Sequence, residues 1–208
     1  MGWLRIERVT WAERALWTAL VLVSIAPTAL QPAPEAVARA YVEALNRGDV
    51  DAALELTDED FVLNPELDPS LYRRPQARQV LEWRAALNER WRIVSWRYNS
   101  SQREVHAVVE ITNDAWMLID SRPVVEVVLV VRTGHLIVEQ ARIESKELRR
   151  ALRPFLEWAS ADRPAELDRV WRDRGPRWGA DPARGLLALM REWRATQEVA
   201  EDTESGQG

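Results

Sequence analysis

The chain has 208 residues, no cysteine and a formal net charge of −5 at pH 7, with 47% hydrophobic and 29% charged residues. That length suits one domain with an extension, or two small ones, the composition is globular rather than disordered, and the acidic balance argues against a nucleic-acid partner, which requires a basic face. The absence of cysteine excludes disulfides, a thiolate nucleophile and Cys-based metal sites, and leaves the redox compartment open.

Residues 1–14 carry Arg5, Arg8 and Arg14 against Glu7 and Glu13, "ALWTALVLVSIA" (15–26) is apolar apart from Thr18 and Ser24, and no charge returns until Glu35. A short basic start, an apolar run and then "PTALQPAP" have the outline of a secretory signal peptide. As helix, residues 15–26 rise about 18 Å, short of the roughly 30 Å hydrocarbon core. Pro27 spoils the small-residue cleavage signal around Ala26 and Ala29, so a short uncleaved anchor rivals a removed signal. Residues 1–33 therefore read as a signal peptide or membrane anchor with its linker. Membrane contact is expected only through residues 15–30, and the location is extracytoplasmic. An amphipathic helix packed on a cytoplasmic domain is the alternative.

Pro34 suits a first helical turn, and Val37, Ala40, Tyr41, Ala44 and Leu45 then share one helical face. Gly48 stops this helix because glycine takes the left-handed conformation freely. Asp49 caps a second short helix through Ala53 and Leu54, "DFVL" (60–63) begins a strand, and "NPELDPS" (64–70) is turn-rich. A third helix opens at Pro75, with Val80, Leu81, Trp83, Arg84 and Leu87 at inward or boundary positions.

From Trp91 the period changes to two, and "WRIVSWRYNS", "EVHAVVEITND", "PVVEVVLVVRTG" and "HLIVEQARIES" read as four long strands rich in β-branched residues. Asn113–Asp114, Asp120–Ser121 and Thr133–Gly134 mark the connections. Closely spaced strands of this kind imply a curved antiparallel sheet. The helical period returns in "KELRRALRPFLEWAS", kinked at Pro154, in "RPAELDRVW" (163–171), and in a last helix capped by Asp181 and running to Thr196. The organisation expected is a cone domain over residues 34–146, a C-terminal helical extension over 147–197 and a disordered polar tail over 198–208.

The opening stretch "VARAYVEALNRGDVDAALELTDEDFVL" (37–63) joins an amphipathic helix, an N-x-G-D turn, a second helix with a small–small–Leu core, and acidic residues entering a strand. With "RPQARQVLEWRAALNERWRIVSW" (74–96) as a third helix running into the next strand, it resembles the SnoaL-like and ketosteroid-isomerase-like domains of the nuclear-transport-factor-2-like superfamily. The resemblance covers residues 34–146. It implies an α+β fold in which a cone-shaped curved antiparallel sheet is closed by three N-terminal helices, with the C-terminal helices added. It also implies a cavity between helices and sheet for a small apolar ligand, and a homodimer through the sheet. Enzymes of the family work with carboxylates or Asp–His pairs inside the cone, and no such set is matched here residue by residue.

The pocket candidates are Tyr41, Trp83, Trp91 and Trp116 as aromatic lining, and His106, Glu110 and Glu126 as polar groups. His106 and Glu110 share a strand face and are placed to pair or to join an exposed cross-strand network. Glu126 interrupts "VVEVVLVV": buried, it would be a proton-transfer group with a raised pKa. Strict alternation instead turns it to solvent, with Val125, Val127, Leu129 and Val131 inward. Two isolated histidines make a metal site unexpected, no phosphate loop or nucleophile elbow occurs, and no cofactor is expected. The reading is a non-catalytic small-molecule-binding or protein-interaction module. A small isomerase or hydro-lyase using Glu126 or Glu110 is the alternative.

Overall fold

Why the first helix stops where it does is visible in its hydrogen bonds. The computed structural model describes residues 32–64, 74–142, 145–172 and 175–205; the expectations for 1–31, for the turns at 65–70 and for 206–208 lie outside them. Helix α1 (Pro34–Arg47) ends at Gly48, which sits at φ 71° and gives its N–H to the Leu45 carbonyl, while Asp49 N–H bonds the Ala44 carbonyl. This paired return of N–H groups past a left-handed residue satisfies carbonyls that the helix leaves open. Asp49 then accepts from Ala52 N–H at 3.0 Å and starts α2 (Val50–Glu55). The N-x-G-D turn is thus one cap handed directly to the next.

Strand β1 (Thr57–Leu63) follows, then α3 (Arg74–Ala86), β2 (Arg90–Asn99), β3 (Glu104–Thr112), a one-turn helix α4 (Asp114–Leu118), β4 (Val124–Arg132) and β5 (His135–Arg142). The sheet order is β1-β5-β4-β3-β2. Strands β2 to β5 form an antiparallel meander. Strand β1 departs from the all-antiparallel expectation: it pairs in parallel with β5, Thr57 opposite Leu136 and Leu63 opposite Glu139. A parallel pair needs a long connection, and α3 with β2–β4 supplies it. Register shifts at Val94 and Ile137 each put an extra residue on one strand, and such bulges bend a sheet.

One face of the sheet is buried. Val105, Ala107, Val109 and Ile111 of β3 and Val125, Val127, Leu129 and Val131 of β4 point to the core, with α1 lying across β2 to β5 and α3 against β1. The residues between them face outward, Val124 at 57% exposure. This is the alternation of a sheet covered on one side.

Helices α5 (Ser145–Asp162), α6 (Pro164–Val170) and α7 (Ala180–Ser205) follow, with a two-residue hairpin of β6 (Trp171–Arg172) and β7 (Gly175–Pro176) before α7. Residues from Pro32 onward form one compact unit, in which α7 packs on both α3 and α4. Two expectations are corrected here. The Asn113–Asp114 connection carries α4, because Asn113 caps it by accepting Trp116 N–H at 2.8 Å. Helix α7 begins at Ala180 and continues to Ser205, through the segment expected to be a tail; once a helix is nucleated, each further turn of Glu, Ala and Gln adds at little cost.

Candidate functional site

The third helix carries an arginine on its buried side, and a buried guanidinium requires partners. Arg84 finds two. Its Nη2 lies 2.8 Å from Glu139 Oε1 and its Nε 3.4 Å from Glu89 Oε1. Glu139, on β5, is 0% exposed, and Glu89, just before β2, is 7% exposed. The Arg84–Glu139 approach is a close ion pair whose atoms are not aligned as a hydrogen bond, since Glu139 Oε1 is without an aligned donor.

Each carboxylate has further support. Tyr41 on α1 donates its hydroxyl to Glu139 Oε2 at 2.6 Å. The Trp91 indole N–H donates to Glu89 Oε1 at 2.9 Å, and Asn113 Nδ2 to Glu89 Oε2 at 3.4 Å. The Arg84 guanidinium also lies 5.2 Å from the Trp91 ring, within cation–π range. Trp91 is itself pinned: Asn46, of the N-x-G-D turn, takes Trp91 N–H on Oδ1 at 2.6 Å and gives Nδ2 to the Trp91 carbonyl at 3.0 Å.

Local structure places these groups. Asn88 takes φ 53°, a conformation Asn tolerates, and returns its N–H to Ala85 while Glu89 N–H bonds the Arg84 carbonyl at 3.0 Å. That turn aims Glu89 back under the helix it follows. On β5 the bulge at Ile137 resets the alternation, so that Leu136, Glu139 and Ala141 stand opposite the inward residues Val131, Leu129 and Val127.

Burial, followed by the charge of Glu139, pushes the Tyr41 phenol well above its ordinary value, so it remains a neutral donor. Burial works against the charge on Arg84, but Glu139 and Glu89 more than offset it, and the guanidinium is held above its ordinary value. The cluster is therefore one fixed cation between two carboxylates. One strong donor is left over: Arg84 Nη1 is buried without an acceptor among the described residues. A buried donor without a partner costs about 1–3 kcal/mol and marks a place where a ligand atom or a water would sit.

Of the residues singled out from sequence, Tyr41, Trp83, Trp91 and Trp116 are buried in one continuous core. Tyr41 and Trp91 touch the charged cluster, and Trp83 and Trp116 pack on each other with ring centroids 6.2 Å apart. His106, Glu110 and Glu126 face away from the core. His106 pairs with Glu104 at 3.1 Å, and Glu110 with Arg92, whose hydrogen bond holds the Glu110 carboxyl below its ordinary range. Glu126 is exposed. Sequence reasoning missed Glu139 and Glu89 and took Arg84 only as an inward or boundary position. An arginine in an apolar helical stripe was the available signal that buried carboxylates must exist.

A separate groove of about 490 Å³ lies between α6 and α7, with Val170, Asp181, Gly185, Leu189 and Glu192 among its lining residues. Those acids are paired with Arg184 and Arg163, and the groove does not include the charged cluster. Among the described residues there is no group of three or more side chains that could hold a metal ion, and no helix long and apolar enough to cross a membrane.

No family model matches the sequence, and no curated protein matches it. Among solved structures, an NTF2-like protein of unknown function from Cytophaga hutchinsonii is similar at 13% identity and TM-score 0.46, over 58% of this chain and 98% of that one. A putative polyketide cyclase from Xanthomonas campestris pv. campestris is similar at 21% identity and TM-score 0.46, over 57% of this chain and 95% of that one. An uncharacterised cystatin-fold protein from Novosphingobium aromaticivorans is similar at 15% identity and TM-score 0.44, over 53% and 97%. At these identities the likeness is one of fold.

Proposed function

We propose that this chain is a non-catalytic binding module for a small, largely apolar molecule that presents one neutral hydrogen-bond acceptor to Arg84. The observation that carries the reading is the Arg84 Nη1 donor, buried and without an acceptor among the described residues, on the guanidinium whose Nη2 and Nε meet Glu139 and Glu89. A hydrogen bond to a charged donor contributes about 1.5–3 kcal/mol, and the surrounding core is aromatic and aliphatic, which suits an apolar frame. The charge balance supports a neutral acceptor: two carboxylates already face one guanidinium, so an anionic ligand would add a third negative charge to a buried site.

Proton-transfer catalysis is the weaker reading. Glu139 is bonded by Tyr41 and ion-paired with Arg84, and Glu89 is held by Arg84, Trp91 and Asn113, so a substrate proton taken by either carboxylate would weaken its pairing with Arg84. The exposed Glu126 and the Arg92-paired Glu110 do not approach the core. The apolar run at 15–26 supports an extracytoplasmic location for the module.

Calorimetric titration with three matched naphthalenes tests the reading. 2-Acetylnaphthalene should bind roughly tenfold or more tighter than 2-isopropenylnaphthalene, which has the shape without the acceptor, as one charge-assisted hydrogen bond implies. It should likewise exceed 2-naphthoate. Equal affinities for the ketone and the alkene, or a preference for the carboxylate, would reject it.

A further inference from the structure

Helix α5 carries a row of cations on the side turned away from the protein. Leu152, Phe155 and Ala159 are buried, where the helix packs on α6 and α7. Lys146, Arg149, Arg150 and Arg153 are exposed. They stand three or four residues apart, which sets them in one row along the opposite side. Residues 146–153 thus hold four cations and one acid, in a chain whose net charge is −5.

The row is short of partners and works against its own helix. Arg153 reaches Glu157 at 3.7 Å with both side chains 71% exposed, a pairing of little strength in water. Lys146, Arg149 and Arg150 make no ion pair among the described residues, whereas the exposed Arg78, Arg92, Arg163 and Arg184 each meet a carboxylate. Lys146 lies in the first turn, where the helix dipole favours acids over cations. Lys146 with Arg150, and Arg149 with Arg153, put like charges four residues apart, a destabilising arrangement. A polyanion laid along the row would offset both penalties.

We propose that this face of α5 docks on a lipid surface rich in anionic headgroups, a membrane contact beyond the one expected of residues 15–30. Two arguments favour lipid over nucleic acid. Nucleic-acid binding calls for a basic domain, whereas this chain is acidic outside a single row. The apolar run at 15–26 is too short as a helix to cross a bilayer, and a marginal apolar hold becomes stable when a polybasic patch adds to it. Near an anionic surface each cation contributes about fivefold to affinity. The apolar side of α5 is already spent on the fold, so the contact is made by charge without insertion, and salt screens it.

The test uses the full chain with Ser160→Cys, the one thiol in an otherwise cysteine-free protein. A donor dye on that thiol sits at an exposed position on the same side of α5, two turns beyond Arg153. Vesicles carry an acceptor dye on the headgroup of a trace lipid. They consist of phosphatidylcholine alone, or of equal parts phosphatidylcholine and phosphatidylglycerol; any hold by the apolar run acts on both. Energy transfer should be greater on the mixed vesicles. That excess should be lost at high salt and in Lys146→Gln/Arg149→Gln/Arg150→Gln. It should remain in Arg97→Gln/Arg103→Gln/Arg132→Gln, which removes the same charge from exposed positions on β2, on β4 and in the turn after β2. Equal transfer on the two vesicles, an excess that survives in the α5 variant, or an equal loss in both variants would overturn the proposal. An oligothymidylate that abolishes the excess at equal phosphate concentration would overturn the assignment to lipid.

Discussion

The Tyr41 hydroxyl donates to Glu139 Oε2 at 2.6 Å, joining residues 98 apart in the chain and locking α1 onto β5. Burial first, and the Glu139 charge second, raise the ionisation of this phenol well above its ordinary value. The folded protein therefore keeps a proton that the unfolded chain loses. The stability this contributes is fully present below the ordinary tyrosine value of about 10 and falls as pH rises above it. Urea melts from about pH 9 to about pH 11 should show the wild type losing stability more steeply than Tyr41→Phe, which has no such proton to lose. Parallel slopes would contradict the assignment.

Breaking one side of the Arg84–Glu139 pair leaves a buried charge poorly compensated. Glu139→Gln and Arg84→Met should each cost about 3 kcal/mol or more in denaturant unfolding. The double variant should lose at least about 1 kcal/mol less than the sum, because the two side chains form one unit. Strict additivity would mean that the two charges do not depend on each other in the folded state.

Asn46 replaces a missing neighbour for Trp91 on the edge strand β2. Removing both hydrogen bonds in Asn46→Ala should cost about 2 kcal/mol and speed hydrogen exchange at the Trp91 amide. Asn46→Asp keeps the acceptor for that amide and loses the donor to the carbonyl, so its cost should fall between those of the wild type and the alanine variant. An unchanged exchange rate in Asn46→Ala would remove the residue from the account of how Trp91 is held.

Gly185 lets α6 and α7 approach. A Cβ at this position would lie 2.7 Å from Val170 Cγ1, closer than packed atoms tolerate. Gly185→Ala should lower stability by about 2 kcal/mol, and a second change, Val170→Ala, should recover part of the loss. A neutral Gly185→Ala melt would show that these helices separate freely.

Much of this fold could be read along the chain because its elements carry strong local signals. Gly48 and Asp49 announce a stop and a start, and β3 and β4 alternate without a break, so Val125, Val127, Leu129 and Val131 were placed inward by period alone. Helix α4 was harder, since a single turn held by the Asn113 cap has no room for a period. The charged cluster was least accessible for a specific reason. Strict alternation from Leu136 puts Val138 and Gln140 inside and Glu139 outside, but the bulge at Ile137 reverses this. A bulge is set by pairing between strands, which no window of one strand reveals. Glu89 depends likewise on the left-handed turn at Asn88. Arg84 was the legible member, and its two carboxylates followed only from the fold.

The carbonyl stretch of ¹³C=O-labelled 2-acetylnaphthalene, recorded by infrared difference spectroscopy in the bound state, probes the free Arg84 donor most directly. A ketone held by Arg84 Nη1 should absorb below its frequency in hexane, and that lowering should vanish in Arg84→Met/Glu139→Gln, which removes donor and counter-charge together. A bound ketone at its hexane frequency, or one whose lowered frequency persists in the double variant, would show that the acceptor rests on some other group.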